Sequence, residues 1–201
     1  MALRFCFQRG EVEMKNECIA EGVVEALAID GKEAELIHFS MDGPRGDVHA
    51  SRTRKLSGHD GAYIRTSALT KGDFVLNWRS WTGLATEEVI DISTALAKAV
   101  PVGALLENIR ISGVPHFSQL APTTRLVFPR RAEQQVILAV WEENGPCKTV
   151  GERLRAYHNA PQGMIADFIK AANGKRGVMG LVLSPGIVMK GDAVRVYPPV
   201  T

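Results

Sequence analysis

The stretch GVVEALAIDGKEAELIHF, residues 22–39, decides the fold. Two short apolar-rich runs, residues 22–29 and 34–39, flank Asp30-Gly31-Lys32, and Asp-Gly supplies the positive φ angles that a tight hairpin turn requires. The folded body therefore opens with an antiparallel hairpin. Outward from it, residues 74–81 read as an aromatic strand, and further strands are expected at 108–111, 125–128, 136–141, 178–183 and 193–197. The run 136–141 is apolar enough throughout to suit burial on both faces. Thr86-Glu87-Glu88 opens a helix with Val89, Ile92 and Leu96 on one face, ending before Pro101; its first-turn carboxylates suit the helix dipole. Thr149-Val150-Gly151-Glu152 has capping-box spacing and starts a second helix with Val150, Leu154 and Tyr157 in a stripe. A third, over residues 161–172, carries Ile165, Phe168, Ile169 and Ala172 and is closed by Asn173-Gly174. Strands dominate, helices are short and no βαβ alternation is expected, so the class is mainly β or α+β, a barrel with a few short helices. Residues 1–18 read as an arm and residues 19–201, which show no repeat or linker, as one domain.

Composition narrows the function. The chain has 201 residues, 45% hydrophobic, 23% charged and 6% aromatic, the profile of a folded globular domain. Its 24 Lys and Arg against 22 Asp and Glu leave a charge of +2, too balanced for wholesale nucleic-acid binding. The uncharged run 177–189 spans 13 residues and contains Pro185, whereas a spanning helix needs about 20. No membrane partner is expected. Arg4 and Arg9 interrupt what would have to be the apolar core of a signal peptide. Three cysteines, Cys6, Cys18 and Cys147, do not make a disulfide framework. Both features point to the cytoplasm. Phosphate-loop, dinucleotide-binding, zincin and nucleophile-elbow motifs are all missing from the sequence. The histidines His38, His49, His59, His116 and His158 have no helical ligand spacing, which argues against structural zinc. Arg45-Gly46-Asp47 matches an adhesion tripeptide by coincidence in a chain not expected to be exported.

Two candidate sites remain. Cys147 follows Gly145-Pro146 after the strand 136–141 and precedes the helix near Val150, so its sulfur is expected close to a helix N-terminus. Backbone N–H groups and the neighbouring Lys148 favour a thiolate there. Cys147 then reads as a nucleophile, a persulfide carrier or a soft-metal ligand, or as a small hydrophobe filling a corner. Cys6 and Cys18 lie in the arm with nothing to activate them. The second candidate is the loop 43–59, where Arg45, Arg52, Arg54, Lys55 and His59 gather positive charge. It suits an oxyanion or phosphate ester, or is a solvated basic loop. Asp47 and His49 at i, i+2 read as an oriented acid–base pair or as a capping aspartate beside a surface histidine. Cysteine-nucleophile hydrolysis with His116 or His158 as base is a further reading.

Taken in order, Gly46-Asp47-Val48-His49-Ala50, Val102-Gly103 with Glu107-Asn108-Ile109, Gly145-Pro146-Cys147, and Arg176-Gly177 with the ending from Pro185 to Val194 resemble the MOSC domain family. That family is named for the C-terminal region of molybdenum-cofactor sulfurase. The resemblance covers residues 20–197 and implies a β-barrel-like fold with a cysteine at its functional centre. It further implies that Cys147 carries sulfur as a persulfide or ligates molybdenum of a bound pterin cofactor. Asp47, His49, Arg45, Arg52, Asn108 and Lys148 are the cofactor-binding residues it suggests. Some members reduce N-hydroxylated compounds with an external electron donor. In the sulfurases a separate pyridoxal-phosphate desulfurase domain mobilises the sulfur, so pyridoxal phosphate is expected only in a partner; a cysteine desulfurase or an electron-transfer protein is the expected partner. Two positions depart from the pattern. Asn144-Gly145 stands where many relatives put an arginine before Pro-Cys, and Val48 replaces a basic residue inside Gly-Asp-x-His, leaving Arg45 and Arg52 as candidate substitutes. These departures motivate a different reading, a barrel without cofactor that binds small molecules or proteins.

Overall fold

A computed structural model of the chain describes residues 17–131 and 134–199. Its centre is a closed barrel of seven strands, with the 20–29 strand as the closing seam. That strand, β1 (Ala20–Ile29), is paired at its start with the final strand (Ala20↔Val196 to Val23↔Ala193). Along its other edge it pairs with the strand Ile109–Ser112. The expected turn is present: Asp30 and Gly31 have φ of 50° and 72° and join Ile29 directly to Lys32, the two-residue geometry with both φ positive. The hairpin arm differs from the reading of 34–39. It stops after β2 (Lys32–Ala34), and beyond Glu35 the chain starts β3 (Leu36–Ser40), which pairs with β12 (Gly186–Met189) and with β4 (Gly43–Pro44) in a separate sheet. The switch keeps Ile37 and Phe39 in the core.

Around the barrel, β1 is followed by β8 (Ile109–Ser112), β7 (Trp81–Ala85), β11 (Val178–Ser184), β10 (Gln134–Glu143), β9 (Arg125–Arg131) and β13 (Ala193–Tyr197), which returns to β1. Every barrel pairing is antiparallel except β7 with β8, which is parallel. The helix α2 (Thr86–Leu96) makes the crossover between them, so the chain does contain one βαβ unit, contrary to the sequence reading. The unit escapes notice because the 74–81 strand is really two elements. β6 (Phe74–Leu76) pairs only with β5 (Thr53–Lys55), and the barrel strand begins at Trp81 with Gly83 in its middle, which weakens the strand pattern. Nor is the 136–141 run buried on both faces: Val136, Leu138 and Val140 point into the core while Trp141 is 39% exposed.

The interior is filled, as a small barrel requires, by Val24, Leu27, Trp81, Ile109, Phe117, Leu126, Phe128, Leu138 and Val196 among others. Each such side chain contributes about 1.5–3 kcal/mol on burial. A second apolar cluster lies outside β7, where Leu84 meets Val89 and Ile92 of α2, Val150 and Leu154 of α3 (Lys148–Tyr157), and Met164 and Phe168 of α4 (Met164–Ala171). The start of α3 also differs from expectation. Its N-cap is Cys147, extended at φ −133° and ψ 156°, and Thr149 lies inside the helix. Glu152 is engaged instead with Lys148 at 3.5 Å, an i, i+4 pair.

Residues 43–80, between β3 and β7, run outside the barrel and include α1 (Gly61–Thr66). Asn77 fastens this excursion by donating from Nδ2 to the carbonyls of His49 (2.8 Å) and Ser51 (3.1 Å). Trp78 ties it to β10 through Nε1–H to Glu142 Oε1 at 3.1 Å. No helix among the described residues is long and apolar enough to cross a membrane.

Candidate functional site

A cavity of about 530 Å3 opens where the end of β10, the N-terminus of α3 and the 43–80 excursion meet. The turn Asn144-Gly145-Pro146 delivers Cys147 to its wall, half-buried against the helical cluster. The helix begins immediately after it: Gly151 donates its N–H to the Cys147 carbonyl at 3.2 Å, while the thiol makes no capping bond. The sulfur therefore stands at the end of α3 where unsatisfied N–H groups concentrate.

Asp47 organises the opposite wall. Gly46, at φ 88°, turns the chain so that the Asp47 carboxylate reaches inward. It accepts the backbone N–H of His49 (2.9 Å) and of Asp30 (3.1 Å) and Nδ2–H of Asn108 (2.8 Å), with His49 Nδ1 3.2 Å away. Burial alone would raise its pKa, but these donors outweigh burial and hold the carboxyl well below the usual carboxylate range. Asp47 is thus both the capping aspartate and the orienting partner of His49. In return the Asp47 hydrogen bond raises the His49 pKa; partial burial opposes it, the charges of Asp47 and Asp30 add to it, and Arg176 subtracts. Asn108, 4% exposed, also accepts the Thr82 N–H (2.9 Å) and donates to the Ala28 carbonyl (3.3 Å), so it locks the hairpin, β7 and Asp47 together. Its neighbour Glu107 is structural: it accepts the N–H groups of Gly103 (2.8 Å) and Leu105 (3.1 Å) and Arg110 Nε–H (2.6 Å). The Gly103 turn packs on the hairpin tip so closely that a Cβ on Gly103 would lie 2.6 Å from the Gly31 carbonyl.

Arg176 is not among the expected site residues, although Arg176-Gly177 is part of the family resemblance. It lines the cavity and is 6% exposed. Its Nη1 donates to Asn144 Oδ1 and the Gly145 carbonyl, both at 2.7 Å, and Nη2 to the Leu105 carbonyl at 3.1 Å. No arginine stands directly before Pro146 in sequence, but Arg176 reaches this turn from the start of β11, and Asn144-Gly145 supplies two of its three acceptors. Gly177 makes the arrival possible: at φ +74° a Cβ there would lie 1.8 Å from the Gly83 carbonyl. All three acceptors are neutral, and Nε has no partner. Burial lowers the Arg176 pKa, opposed by electrostatic interaction with Cys147 and Glu107. An arginine set directly before a strand as apolar as 178–183 was the available signal.

Arg79, also on the wall, is committed elsewhere, with Nη2 3.3 Å from Asp60 Oδ1 and 3.5 Å from Glu142 Oε1. Asp60 is held strongly acidic, first by Arg54 (3.0 and 2.6 Å) against the opposing effect of burial, with Ser57 adding to it. Of the residues the sequence singles out, the cavity brings together Cys147, His49 and Asn108, with Asp47 bonded to the latter two. Arg45 lines a different depression, beside His38 and Pro185. Arg52 and Lys148 are exposed and outside the cavity lining, and so is His116. His158 is outside it too and donates from Nε2 to the Ala99 carbonyl at 2.8 Å. Cys18 is exposed, and Cys6 lies outside the described residues.

A sequence model of the MOSC domain matches residues 79–195. The matched span contains Asn108, Cys147 and Arg176; the Asp47–His49 loop precedes it. A Bacillus subtilis (strain 168) protein named "Putative metal-sulfur cluster biosynthesis proteins YuaD" is 29% identical over 186 residues, 89% of each chain. The crystal structure of YuaD from Bacillus subtilis superposes with a TM-score of 0.79 at 24% identity, covering 90% of this chain and 97% of that one. YiiM from Geobacillus stearothermophilus superposes at 0.51 and 14% identity, over 90% and 74% of the two chains. These likenesses show a shared fold.

Proposed function

Because the chain belongs to the MOSC domain family, we propose that it handles sulfur, with Cys147 carrying it as a persulfide. The observation that supports this most is the pairing of a thiol at a helix N-terminus with a buried guanidinium hydrogen-bonded to three neutral oxygens, in one cavity. Negative charge on sulfur, as thiolate or persulfide, is what both features favour. The printed name of the YuaD relative, which refers to metal-sulfur cluster biosynthesis, agrees with a sulfur-delivering role. A cysteine desulfurase, itself bearing pyridoxal phosphate, is the matching donor in the cytoplasm.

Molybdenum ligation is a second reading, favoured by the cavity's size, which falls in the range of cofactor sites and exceeds what one sulfur atom needs. Among the described residues no group of three or more His, Cys, Asp or Glu could hold a bare metal ion. A metal here would bring its own ligands, as a pterin cofactor does, and take one soft thiolate from Cys147. Arg176 and His49 would balance the cofactor's negative groups. Such a cofactor would supply the redox chemistry by which family reductases act on N-hydroxylated compounds.

Incubating the full chain with a desulfurase and cysteine is expected to load one sulfur per chain, and Cys147→Ser to abolish it; undiminished loading of the variant contradicts the carrier role. Molybdenum and pterin content after expression in cofactor-competent cells tests the second reading. Content that disappears in Cys147→Ser supports ligation, whereas equal content in both contradicts it. Empty wild-type protein favours the barrel without cofactor.

A further inference from the structure

Building on the sulfur-carrier reading, we propose that the cavity takes sulfur directly from a small anionic sulfane-sulfur donor of the thiosulfate class, with Arg176 holding the oxyanion end while Cys147 receives the outer sulfur. A persulfide handed over by a protein brings no oxyanion for a guanidinium to hold, whereas a small anionic donor does. Arg176 is more than nine-tenths buried, spends its donors on three neutral oxygens, keeps Nε unpartnered and borders the cavity. A buried guanidinium without a carboxylate is an incomplete ion pair, and a ligand bearing sulfonate oxygens completes it with charge-assisted hydrogen bonds.

The remaining charges of the cavity sort by commitment. His49, whose pKa the Asp47 hydrogen bond raises, adds a group able to take up a proton on the exposed side. Arg79 is already shared between Asp60 and Glu142, and Glu142 also accepts from Trp78. Glu143, the other carboxylate on the wall, is exposed. Arg176 is therefore the buried charge left for a ligand.

The step balances without an oxidant or reductant. The Cys147 thiolate attacks the outer sulfur of thiosulfate, a Cys147–sulfur bond forms, and the bond from that sulfur to the sulfonate breaks. Its electron pair leaves with sulfite. A monoanion and a dianion give a persulfide monoanion and sulfite dianion. Arg176, which lines the same cavity as Cys147, stabilises the charge that develops on the leaving group.

The test uses the full chain with two donors, thiosulfate in one arm and a desulfurase with cysteine in the other. Sulfite release and the sulfur gained by Cys147 are followed in the first arm, sulfur gain alone in the second. Thiosulfate is expected to load Cys147 with one sulfite released per sulfur, and Arg176→Lys to lower the ratio of thiosulfate-driven to desulfurase-driven loading about 100-fold, the size of losing one preorganised oxyanion contact. Loading by the desulfurase alone overturns this inference and leaves the carrier reading intact; loading by neither overturns both. An unchanged ratio removes Arg176 from the role. Should Arg176→Lys fail to fold, the wild type decides: sulfite must slow alkylation of Cys147 by neutral iodoacetamide, and no protection contradicts the site.

Discussion

Arg110 and Arg176 are both almost completely buried, at 8% and 6% exposure, yet they are held in opposite ways. Arg110 donates from Nε to Glu107 at 2.6 Å and from its other nitrogens to the carbonyls of Val100 and Pro101. Its charge is cancelled inside the protein, and it lines neither of the two depressions described above. Arg176 grips three neutral oxygens and lines the same cavity as Cys147. The first arrangement braces the loop after α2; the second leaves an electrostatic requirement that sulfur or a ligand fulfils. Removing one partner of a closed buried pair strands a charge, whereas removing the charge that stands without a carboxylate strands none.

That contrast sets the order of expected effects. Glu107→Gln leaves Arg110 uncompensated and is expected to cost about 3–5 kcal/mol, read as a lower urea midpoint at unchanged slope. Arg176→Met loses three hydrogen bonds but relieves a desolvated charge, for a cost of about 1–2 kcal/mol. If it destabilises as much as Glu107→Gln, Arg176 is a structural brace and the contrast fails.

Asp47→Asn sharpens the account on the other wall, with a cost of about 1 kcal/mol that depends on pH. Asp47 has a depressed folded pKa, so its contribution is complete above about pH 3.9 and fades as pH falls toward the folded value. His49 has a raised one, so its contribution is complete below about pH 6.5 and fades as pH rises through the folded value. The stability difference between wild type and variant is expected to peak between about pH 4 and 6.5. The His49 imidazole, followed by NMR, is expected to titrate at lower pH in the variant; an unmoved titration contradicts the clamp. The smallest effect belongs to Lys148→Gln, since its side chain is 73% exposed and its ammonium pairs with the half-exposed Glu152. Its stability change is expected below about 0.5 kcal/mol, with sulfur loading of Cys147 unaltered; a marked loss of loading would return Lys148 to the site.

Elements whose pattern is local were legible in the sequence. The Asp30-Gly31 turn, the α2 stripe of Val89 and Ile92, and the strand Ala193–Tyr197 are set by neighbours two to four residues apart. That a helix starts close behind Cys147 was legible for the same reason, from the stripe of Val150 and Leu154, although the N-cap is Cys147 rather than Thr149. What could not be read locally are features that distant segments create. The parallel β7–β8 pairing depends on a strand that Gly83 disguises, β12 finds its partner about 150 positions back along the chain, and the arginine beside Cys147 comes from position 176 rather than from the residues before Pro146. Arg45, singled out for its place in a basic loop, instead lines the other depression, because the turn at Gly46 sends Asp47 inward and leaves Arg45 outside.

The most direct measurement is residue-resolved mass spectrometry of the wild-type chain after exposure to a desulfurase and cysteine, with Cys6, Cys18 and Cys147 all free to compete. The account predicts that the added sulfur is found on Cys147 and not on the other two. Sulfur distributed over all three cysteines, or absent from Cys147, would contradict it.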